Sequence, residues 1–277
     1  MNFIQNLITG IILRIKKIFY RPLAIFNISW TKEKILKHRQ DDKIKYHIYQ
    51  NKYRIEFKDA QEFLVSVDEL FVKEFYKFIS TNEKPIIIDC GSYIGTSILY
   101  FKTKNPSASI IGYEPDENNF TLLKNNVESW GFDDTEIICA AVWTENGTIS
   151  FNSAGGMAGS IELNKSEKEN PQISVPCIRL KDILNQPIDF LKIDIEGAEY
   201  AVLKDCESQL YHVKNLFVEY HGYYSNMSNL NEILKILLDN GFKYYLKEGL
   251  SLHDNPFIEP ESEKNFDILL NIFAFRL

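Results

Sequence analysis

The sequence predicts an α/β protein built on a doubly wound, mostly parallel sheet, with an N-terminal helical and hairpin extension. Three features of the sequence predict this fold. From Pro85 onward, short apolar runs alternate with stretches of helical periodicity. The first apolar run ends in an acid and two closely spaced glycines, Gly91 and Gly95, and the last helical stretch closes on Gly241. Apolar strands separated by helices require crossover connections, which place helices on both faces of a parallel sheet.

The pattern divides the chain into an extension over residues 1–80 and a second domain over residues 81–277. Helices are predicted at 96–104, 118–130, 198–210 and 229–241. Strands are predicted at 86–89, 108–115, 136–142, 148–151, 173–176, 188–194, 215–221, 242–248 and 266–275.

Within the extension, the loosely alternating segment 43–57 predicts a hairpin that turns near residues 50–52. The segment that follows predicts a helix with Asp68 as its N-cap. Phe71, Val72, Phe75 and Ile79 would share one face of that helix.

Residues 1–21 have helical apolar spacing and end in basic residues. The uncharged run stops at Arg14, which is too short for a spanning helix of about 20 apolar residues. The segment also lacks the basic start and small-residue cleavage site of a signal peptide. Two interpretations stay open: a helix packed on its own domain or on a second subunit, which we favour, or a helix lying peripherally in a membrane interface.

Composition narrows the classes of function. The formal charge of −7 argues against a nucleic-acid partner, because phosphate binding needs clustered Lys and Arg. The four cysteines are Cys90, Cys139, Cys177 and Cys206, and no two of them form a CxxC pair. This usage indicates neither a zinc site nor a disulfide framework, and it fits a reducing cytoplasm.

The glycine-rich turn after the first strand is typical of a ligand site, because ligands of open parallel sheets bind at the carboxyl ends of strands. It reads D-x-G-x-x-x-G from Asp89 to Gly95 and lacks the third glycine of a dinucleotide loop. That absence opposes a nicotinamide-dependent oxidoreductase. An acid at the start of the loop favours a cation or amine over a phosphate, although Asp89 could also serve only as a helix N-cap.

The second strand of the domain ends in Glu114. A carboxylate at that strand end can accept both hydroxyl groups of a ribose. A glycine loop, an acid suited to an amine and an acid suited to a ribose together describe a site for S-adenosylmethionine.

Four segments resemble the FkbM family of class I S-adenosylmethionine-dependent methyltransferases. They are "IIIDCGSYIGTSILYF", "IIGYEPDENNFTLLKNNV", "IDFLKIDIEGAEYAVLKD" and "LFVEYHG", and the most specific part is "KIDIEGAE". The resemblance covers about Pro85 to Phe275 and implies a Rossmann-like sheet of seven strands. The cofactor-binding residues it implies are Asp89, Gly91, Ser92, Tyr93, Gly95, Glu114, Pro115, Asn119, Ala140 and Ala141. Tyr93 is a departure, since the family often has a small amide residue there.

Methyl transfer to a hydroxyl needs a base, because a sugar hydroxyl is too weakly acidic to attack unaided at neutral pH. Strand alternation and the strand order expected of the family bring five side chains together: Lys192, Asp194, Glu196, Glu219 and His221. His221 is the first candidate for the base, by its ordinary pKa, and Asp194 is the second. Alternatively, Lys192 pairs with Glu199 or Glu219, and the cluster only braces the strand ends. A carboxylate–histidine cluster can also hold Mg²⁺ or Mn²⁺, but no dedicated ligand spacing requires a metal.

The resemblance implies O-methylation of a small molecule or glycan, often in bacterial surface-polysaccharide or natural-product pathways. The acceptor we expect is therefore a sugar, nucleotide-sugar or surface-glycan hydroxyl. An N-methyl acceptor, a phosphorus-linked oxygen and a non-catalytic cofactor-binding scaffold stay as alternatives. Tyr220, Tyr223 and Tyr224 could contact a sugar ring, and the small-residue loop at 152–160 could close over it.

Overall fold

The computed structural model describes residues 21–38, 41, 43–152, 172–249, 257–258 and 266–276. Two predictions lie outside the described residues: the amphipathic helix of the N-terminal segment, in its residues 1–20, and the closing loop, in its residues 153–160. The chain divides into two compact units, Met1–Phe75 and Tyr76–Leu277. No helix among the described residues is both long and apolar enough to span a bilayer.

The described part of the first unit contains short helices and one hairpin. A 3₁₀ turn at Pro22–Phe26 precedes helix α1 (Trp30–His38). Strands β1 (Lys45–Tyr49) and β2 (Tyr53–Phe57) then pair antiparallel, as the alternation predicted. Gln50 and Asn51 both have positive φ, which turns the chain between the two strands. Helix α2 (Ala60–Val67) and a π-helical turn (Asp68–Val72) follow.

The predicted N-cap at Asp68 is wrong. The residue that caps the helix is Asp59, whose carboxylate accepts hydrogen bonds from the backbone amides of Gln61 and Glu62. Asp68 lies at the C-terminal end of that helix, and the chain leaves helical geometry at Glu74, which has a φ of 51°. Ile79, assigned to the buried face, is 86% exposed. A helix with an apolar face is therefore present, but its N-cap lies nine residues earlier in the sequence than predicted.

The second unit contains a seven-stranded sheet. Its strands are β3 (Ile86–Cys90), β4 (Ser109–Tyr113), β5 (Thr135–Ile138), β9 (Ile188–Ile193), β10 (Val213–Gly222), β11 (Lys243–Glu248) and β12 (Ile268–Phe275). They lie in the order β11-β12-β10-β9-β3-β4-β5. All neighbouring pairs are parallel except those of β12, which is antiparallel to β10 and β11. This is the doubly wound, mostly parallel sheet that the sequence predicts.

A separate three-stranded sheet corrects one predicted strand. The apolar run 136–142 does not form a single strand, because the chain leaves β5 after Ile138 and begins β6 (Ala141–Trp143) in the smaller sheet. There β6 pairs with β8 (Gln172–Arg179), which also pairs with β7 (Gly147–Asn152). A short apolar run is compatible with one strand or two, so periodicity alone could not show the break.

Helices cover both faces of the large sheet. They are α3 (Thr96–Lys104), α4 (Glu117–Trp130), α5 (Leu180–Ile183), α6 (Glu199–Cys206) and α7 (Ser228–Asp239). Successive residues of a strand point to opposite faces. On one face Phe190 of β9 packs against Phe101 of α3, with ring centroids 5.1 Å apart. On the other face Leu191 belongs to a buried apolar cluster that includes Val202 of α6 and Leu237 of α7.

The unit boundary falls between Phe75 and Tyr76, whereas the sequence placed it after residue 80. Tyr76 lies in the aromatic layer of the sheet: its ring centroid is 4.8 Å from that of Phe217 and 5.6 Å from that of Phe101. The segment after it is held by Asp189, which accepts hydrogen bonds from the Ser80 hydroxyl at 2.6 Å and the Ile86 amide at 3.0 Å. These contacts assign Tyr76 to the second unit.

His47 is a buried histidine of the first unit whose contacts select one protonation state. The buried ring has Nε2 2.6 Å from the Phe26 carbonyl oxygen and Nδ1 2.6 Å from Lys32 Nζ. A carbonyl only accepts and an ammonium only donates, so these contacts require the neutral ring with its proton on Nε2. Burial lowers the pKa of His47; the Phe26 carbonyl opposes this shift and the Lys32 charge adds to it.

We therefore expect the first unit to lose stability as the pH falls below about 6.5, because the unfolded state then takes up a proton that the folded state excludes. Each unit by which the pKa is lowered corresponds to about 1.4 kcal/mol. The measurement is hydrogen exchange of the 45–57 amides between pH 8 and pH 5, corrected for the intrinsic exchange rate. His47→Gln should remove the dependence, and His38→Gln, at an exposed position, should keep it. An equal acid response in wild type and His47→Gln would contradict the assignment.

Candidate active site

The glycine loop after β3 has a backbone that requires glycine. Gly91 and Gly95 both have φ of +88°, and Tyr93 between them has φ of 49°. A Cβ at Gly91 would lie 1.9 Å from the backbone oxygen of Asp194, so only glycine lets the loop approach the end of β9 this closely. The left-handed φ at Tyr93 is a conformation in which small amide residues are enriched. The tyrosine at position 93 therefore adopts the left-handed conformation that the loop requires, at a conformational cost.

Glu114 is fixed directly against this loop. Its buried carboxylate accepts a hydrogen bond from the Tyr93 amide at 2.9 Å and another from the Asp116 amide at 3.0 Å. Burial raises the pKa of Glu114 to about 8, although these two hydrogen bonds oppose the shift. Each carboxylate oxygen still has a second acceptor position. Glu114 thus connects the loop after β3 to the start of α4 and keeps acceptor capacity at the strand end.

The other predicted cofactor residues lie at the same carboxyl-terminal end of the sheet. Asn119 is in the first turn of α4, where its backbone amide donates to the capping carboxylate of Asp116. Pro115 lies between Glu114 and that cap. Ser92 is buried in the loop, and its hydroxyl donates to the Asp89 carbonyl oxygen. Ala140 follows the end of β5, and Ala141 begins β6. The structure therefore brings the predicted cofactor set to the carboxyl ends of three adjacent strands, β3, β4 and β5.

Lys192 links this loop to the neighbouring strand. Its buried ammonium is 3.0 Å from the Asp194 carboxylate and 3.4 Å from that of Asp89, and it donates to the Gly91 carbonyl oxygen at 2.6 Å. Burial alone would lower the pKa of Lys192, but Asp194 and then Asp89 outweigh it and hold the pKa well above its usual value. The Ser97 hydroxyl also donates to Asp89.

These contacts bear on two predictions. The ion pairs of Lys192 are with Asp89 and Asp194, rather than with Glu199 or Glu219 as the bracing alternative supposed. Asp89, expected at the methionine end of the cofactor, is fully buried and is already bound by Lys192 and Ser97. Its direct contact with a ligand stays a prediction.

His221 is surrounded by carboxylates. Its Nε2 is 3.3 Å from Glu196 and 3.9 Å from Glu219, and its Nδ1 is 3.0 Å from Glu199. Burial would lower the pKa of His221, but Glu196 and then Glu199 outweigh it and raise the pKa well above its usual value. Burial also raises the pKa of Glu196 to about 9, so Glu196 and His221 compete for a proton across their 3.3 Å contact. The hydrogen bond from Nδ1 to Glu199 favours the imidazolium, and the ring must then lose a proton before it can act as a base.

Glu199 is the site residue that the sequence analysis did not assign. Its fully buried Oε1 accepts hydrogen bonds from His221 Nδ1 and from the backbone amides of Gly197 at 2.9 Å and Ile195 at 3.3 Å. Glu196 between those amides has a φ of 54°, so the same carboxylate holds a strained turn and orients the ring. A signal was present in the sequence: Glu199 precedes Val202 and Leu203 by three and four residues, which places an acid on the buried face of α6.

The aromatic side chains near His221 differ from those expected. Tyr220 belongs to the apolar core on the opposite face of the sheet, as strand alternation from His221 requires. The ring closest to His221 in the described contacts is Phe266, with centroids 4.5 Å apart. Phe266 also lies 5.7 Å from Tyr223, while Tyr224 is 41% exposed. An aromatic wall beside the site is thus formed by Tyr223 and Phe266.

Asp194, Glu219 and His221 each have one potential ligand atom within 4.8 Å of the other two. Carboxylates adopt such spacing without an ion, and His221 Nε2 already faces Glu196. The spacing alone therefore assigns no metal.

Comparison with known proteins identifies the family. The model of the methyltransferase FkbM domain matches residues 89–244, more than half of the chain. The chain belongs to this family and is a methyltransferase. It is 24% identical over 175 residues to Methyltransferase 1 of Beauveria bassiana (strain ARSEF 2860), a match covering 54% of this chain and 70% of that protein.

The chain is also 26% identical over 189 residues to the 2-O-methyltransferase NoeI of Sinorhizobium fredii (strain NBRC 101917 / NGR234), covering 60% of this chain and 77% of that protein. Among solved structures, it is similar to the FkbM methyltransferase of Methylobacillus flagellatus KT, with a TM-score of 0.47 and 17% identity. That match covers 75% of this chain and 47% of the other.

We expect Gly91→Ala to destabilise the second unit by about 2–4 kcal/mol, because backbone strain at positive φ adds to a steric conflict with the Asp194 carbonyl. Gly131→Ala is the matched control: its φ is +68°, but a Cβ there would meet nothing within 4 Å. The control should cost about 1 kcal/mol from strain alone. Denaturant unfolding of both variants measures the difference, and equal losses would contradict the close approach at Gly91.

Proposed function

We propose that this methyltransferase uses S-adenosylmethionine to methylate a sugar or glycan hydroxyl, nucleotide-linked sugars included. The observation that carries the proposal is the juxtaposition of the glycine loop with the Lys192–Asp194 and Glu196–His221 pairs at the carboxyl ends of β3, β9 and β10. The 2-O-methyltransferase among the similar proteins supports a hydroxyl acceptor.

The chemistry of the site suits this cofactor. The carboxylates of Asp89, Asp194 and Glu219 lie at the loop and the adjoining strand ends, where they favour a sulfonium and an amine. The same charges would repel the pyrophosphate of a dinucleotide. Glu114, held by two backbone amides, has acceptor positions left for ribose hydroxyls. When bound, S-adenosylmethionine supplies a methyl group on a positively charged sulfur.

The chain's own residues would align the acceptor and receive its proton. His221, held through Nδ1 by Glu199, presents Nε2 towards Glu196 and Glu219. After loss of its proton, Nε2 can accept the proton of an acceptor hydroxyl that hydrogen-bonds to it. Asp194 is the second candidate for this role, although its carboxylate is already paired with Lys192 at 3.0 Å.

Calorimetric titration with S-adenosylhomocysteine tests the cofactor, with NAD⁺ as the comparison ligand. We expect binding of S-adenosylhomocysteine alone, because the loop lacks the third glycine and carries acids. Glu114→Ala should weaken that binding by about 1–3 kcal/mol through the loss of ribose contacts.

Glu117→Ala removes an exposed acid three residues later in the chain and should bind like wild type. Binding of NAD⁺ alone would overturn the cofactor assignment. Equal affinities of the Glu114 and Glu117 variants would remove the ribose role.

A separate experiment tests the acceptor. Nucleotide sugars and glycans are screened for the gain of one methyl group by mass spectrometry, with and without EDTA to test metal dependence.

We expect His221→Ala to slow methyl transfer by about 10²–10⁴-fold while binding of S-adenosylhomocysteine is kept. His212→Ala, at the other end of β10, is the control and should be active. In the wild type the rate should rise with pH into the alkaline range, because the raised pKa of His221 leaves little neutral ring at pH 7.

Glu196→Gln should move that rise to lower pH, since it removes the carboxylate that contributes most to raising the pKa of His221. A rate in the His221 variant equal to wild type would assign the base to Asp194 or to a bound metal. An unchanged pH profile in Glu196→Gln would show that the titrating group is not His221.

A further inference from the structure

Asn271 stands out among the buried polar residues. It is 0% exposed, and neither its amide nitrogen nor its amide oxygen has a hydrogen-bond partner among the described residues. Leaving a buried amide unpaired costs about 1–3 kcal/mol, so such groups in a folded protein call for a partner. The fully buried Asn126 shows the usual arrangement, since its Nδ2 donates to the Ile94 carbonyl oxygen at 2.9 Å.

The register of the sheet places this amide at the active site. Asn271 of β12 is directly opposite Glu219 of β10. Paired residues of neighbouring strands point to the same face, with Cβ atoms about 4.5–5.5 Å apart. Glu219 in turn has its carboxylate 3.9 Å from His221 Nε2, and its side chain is 12% exposed. Asn271 and Glu219 are therefore neighbours on this face, and a group bound against Glu219 reaches the buried amide when the side chains that cover it move aside.

The chemistry of an amide indicates what it would bind. The Asn side chain has two N–H donors and an acceptor oxygen on one planar group. A hydroxyl both donates and accepts, so one amide can satisfy a hydroxyl or a vicinal pair of hydroxyls. The carboxylate of Glu219, opposite Asn271 on β10, opposes an anionic group there, whereas Lys247 is opposite Asn271 on β11.

We propose that Asn271 and Glu219 form a subsite that binds an uncharged, hydroxyl-bearing part of the acceptor beside His221. The inference rests on the proposed function and extends it to a substrate class, a neutral polyol such as a sugar ring. In the absence of acceptor the amide is unsatisfied, and a bound hydroxyl supplies its missing partner. This contribution raises the affinity for correct acceptors without any part in proton transfer.

A first experiment separates this role from a structural one. Asn271→Leu removes an unpaired amide at nearly constant volume, so we expect a melting temperature equal to or above that of the wild type. Asn126→Leu is the matched control, equally buried but hydrogen-bonded, and should melt at a lower temperature. A loss of stability in Asn271→Leu as large as that in Asn126→Leu would show a bonded, structural amide and overturn the proposal.

A second experiment tests the ligand, with the full-length protein saturated with S-adenosylhomocysteine. The probes are methyl α-D-glucopyranoside and its anionic counterpart glucose 6-phosphate, and binding is followed by ligand-observed NMR. We expect the neutral glycoside to bind the wild type and to bind Asn271→Leu about tenfold more weakly, the loss expected for a hydrogen bond of the usual strength. The phosphate should bind no better than the glycoside.

Equal binding of the glycoside by both proteins, no binding by either, or binding of the phosphate alone would each overturn the subsite. Failure of the proposed function is distinguishable from these outcomes, because it appears earlier as an absence of binding of S-adenosylhomocysteine.

Discussion

The buried ammonium of Lys192 is the interaction on which the rest of the site depends. It binds the Asp194 carboxylate at the end of β9 and the Gly91 carbonyl oxygen in the loop after β3, while Asp89 of β3 lies opposite it on the adjacent strand. A buried charge is tolerated only when it is paired and hydrogen-bonded, and removal of one partner leaves the others uncompensated. The loop can therefore adopt its left-handed conformation because Lys192 and the close approach of Gly91 to Asp194 hold it against the neighbouring strand.

A second buried group, Glu199, holds the end of β10 in place through His221, as Lys192 holds the loop after β3. One carboxylate oxygen accepts from the turn at Gly197 and from the imidazole of His221, residues that are 24 positions apart. The turn at Gly197 thus holds the Glu199 carboxylate, and this carboxylate orients the His221 ring, which in turn neutralises its charge. A rotation of His221 would leave a buried carboxylate without its cationic partner, which is costly. Glu199 consequently defines the position of the His221 ring before any ligand binds.

The fold was largely predictable from local patterns, whereas the contacts of the site were only partly so. Strand alternation, which is local, placed Lys192 and Asp194 on one face of their strand. The strand order implied by the family resemblance then brought Glu219 and His221 beside them. The break between β5 and β6 was not predictable, since a continuous apolar run does not record which sheet its second half joins. The N-cap was misplaced because Asp59 and Asp68 both precede apolar residues at helical spacing. Glu199 and Asn271 depend on pairing with distant strands, and nothing in their own segments states what they face.

The distribution of charge restricts which part of an acceptor can approach His221, the base in the proposed function. Around His221 and Lys192 the described contacts include the carboxylates of Asp89, Asp194, Glu196, Glu199 and Glu219, so acids outnumber bases. Two unit charges about 4 Å apart near a protein surface interact by about 4 kcal/mol. Lys192 and His221 offset two of these acids, and burial raises the pKa of Glu196 to about 9. The charge that is left would still repel a phosphate, whereas it would not repel an uncharged ring. Under the proposed function, a nucleotide or other anionic group of the acceptor would therefore lie away from β9 and β10, and the hydroxyl that faces His221 would belong to the neutral part of the molecule.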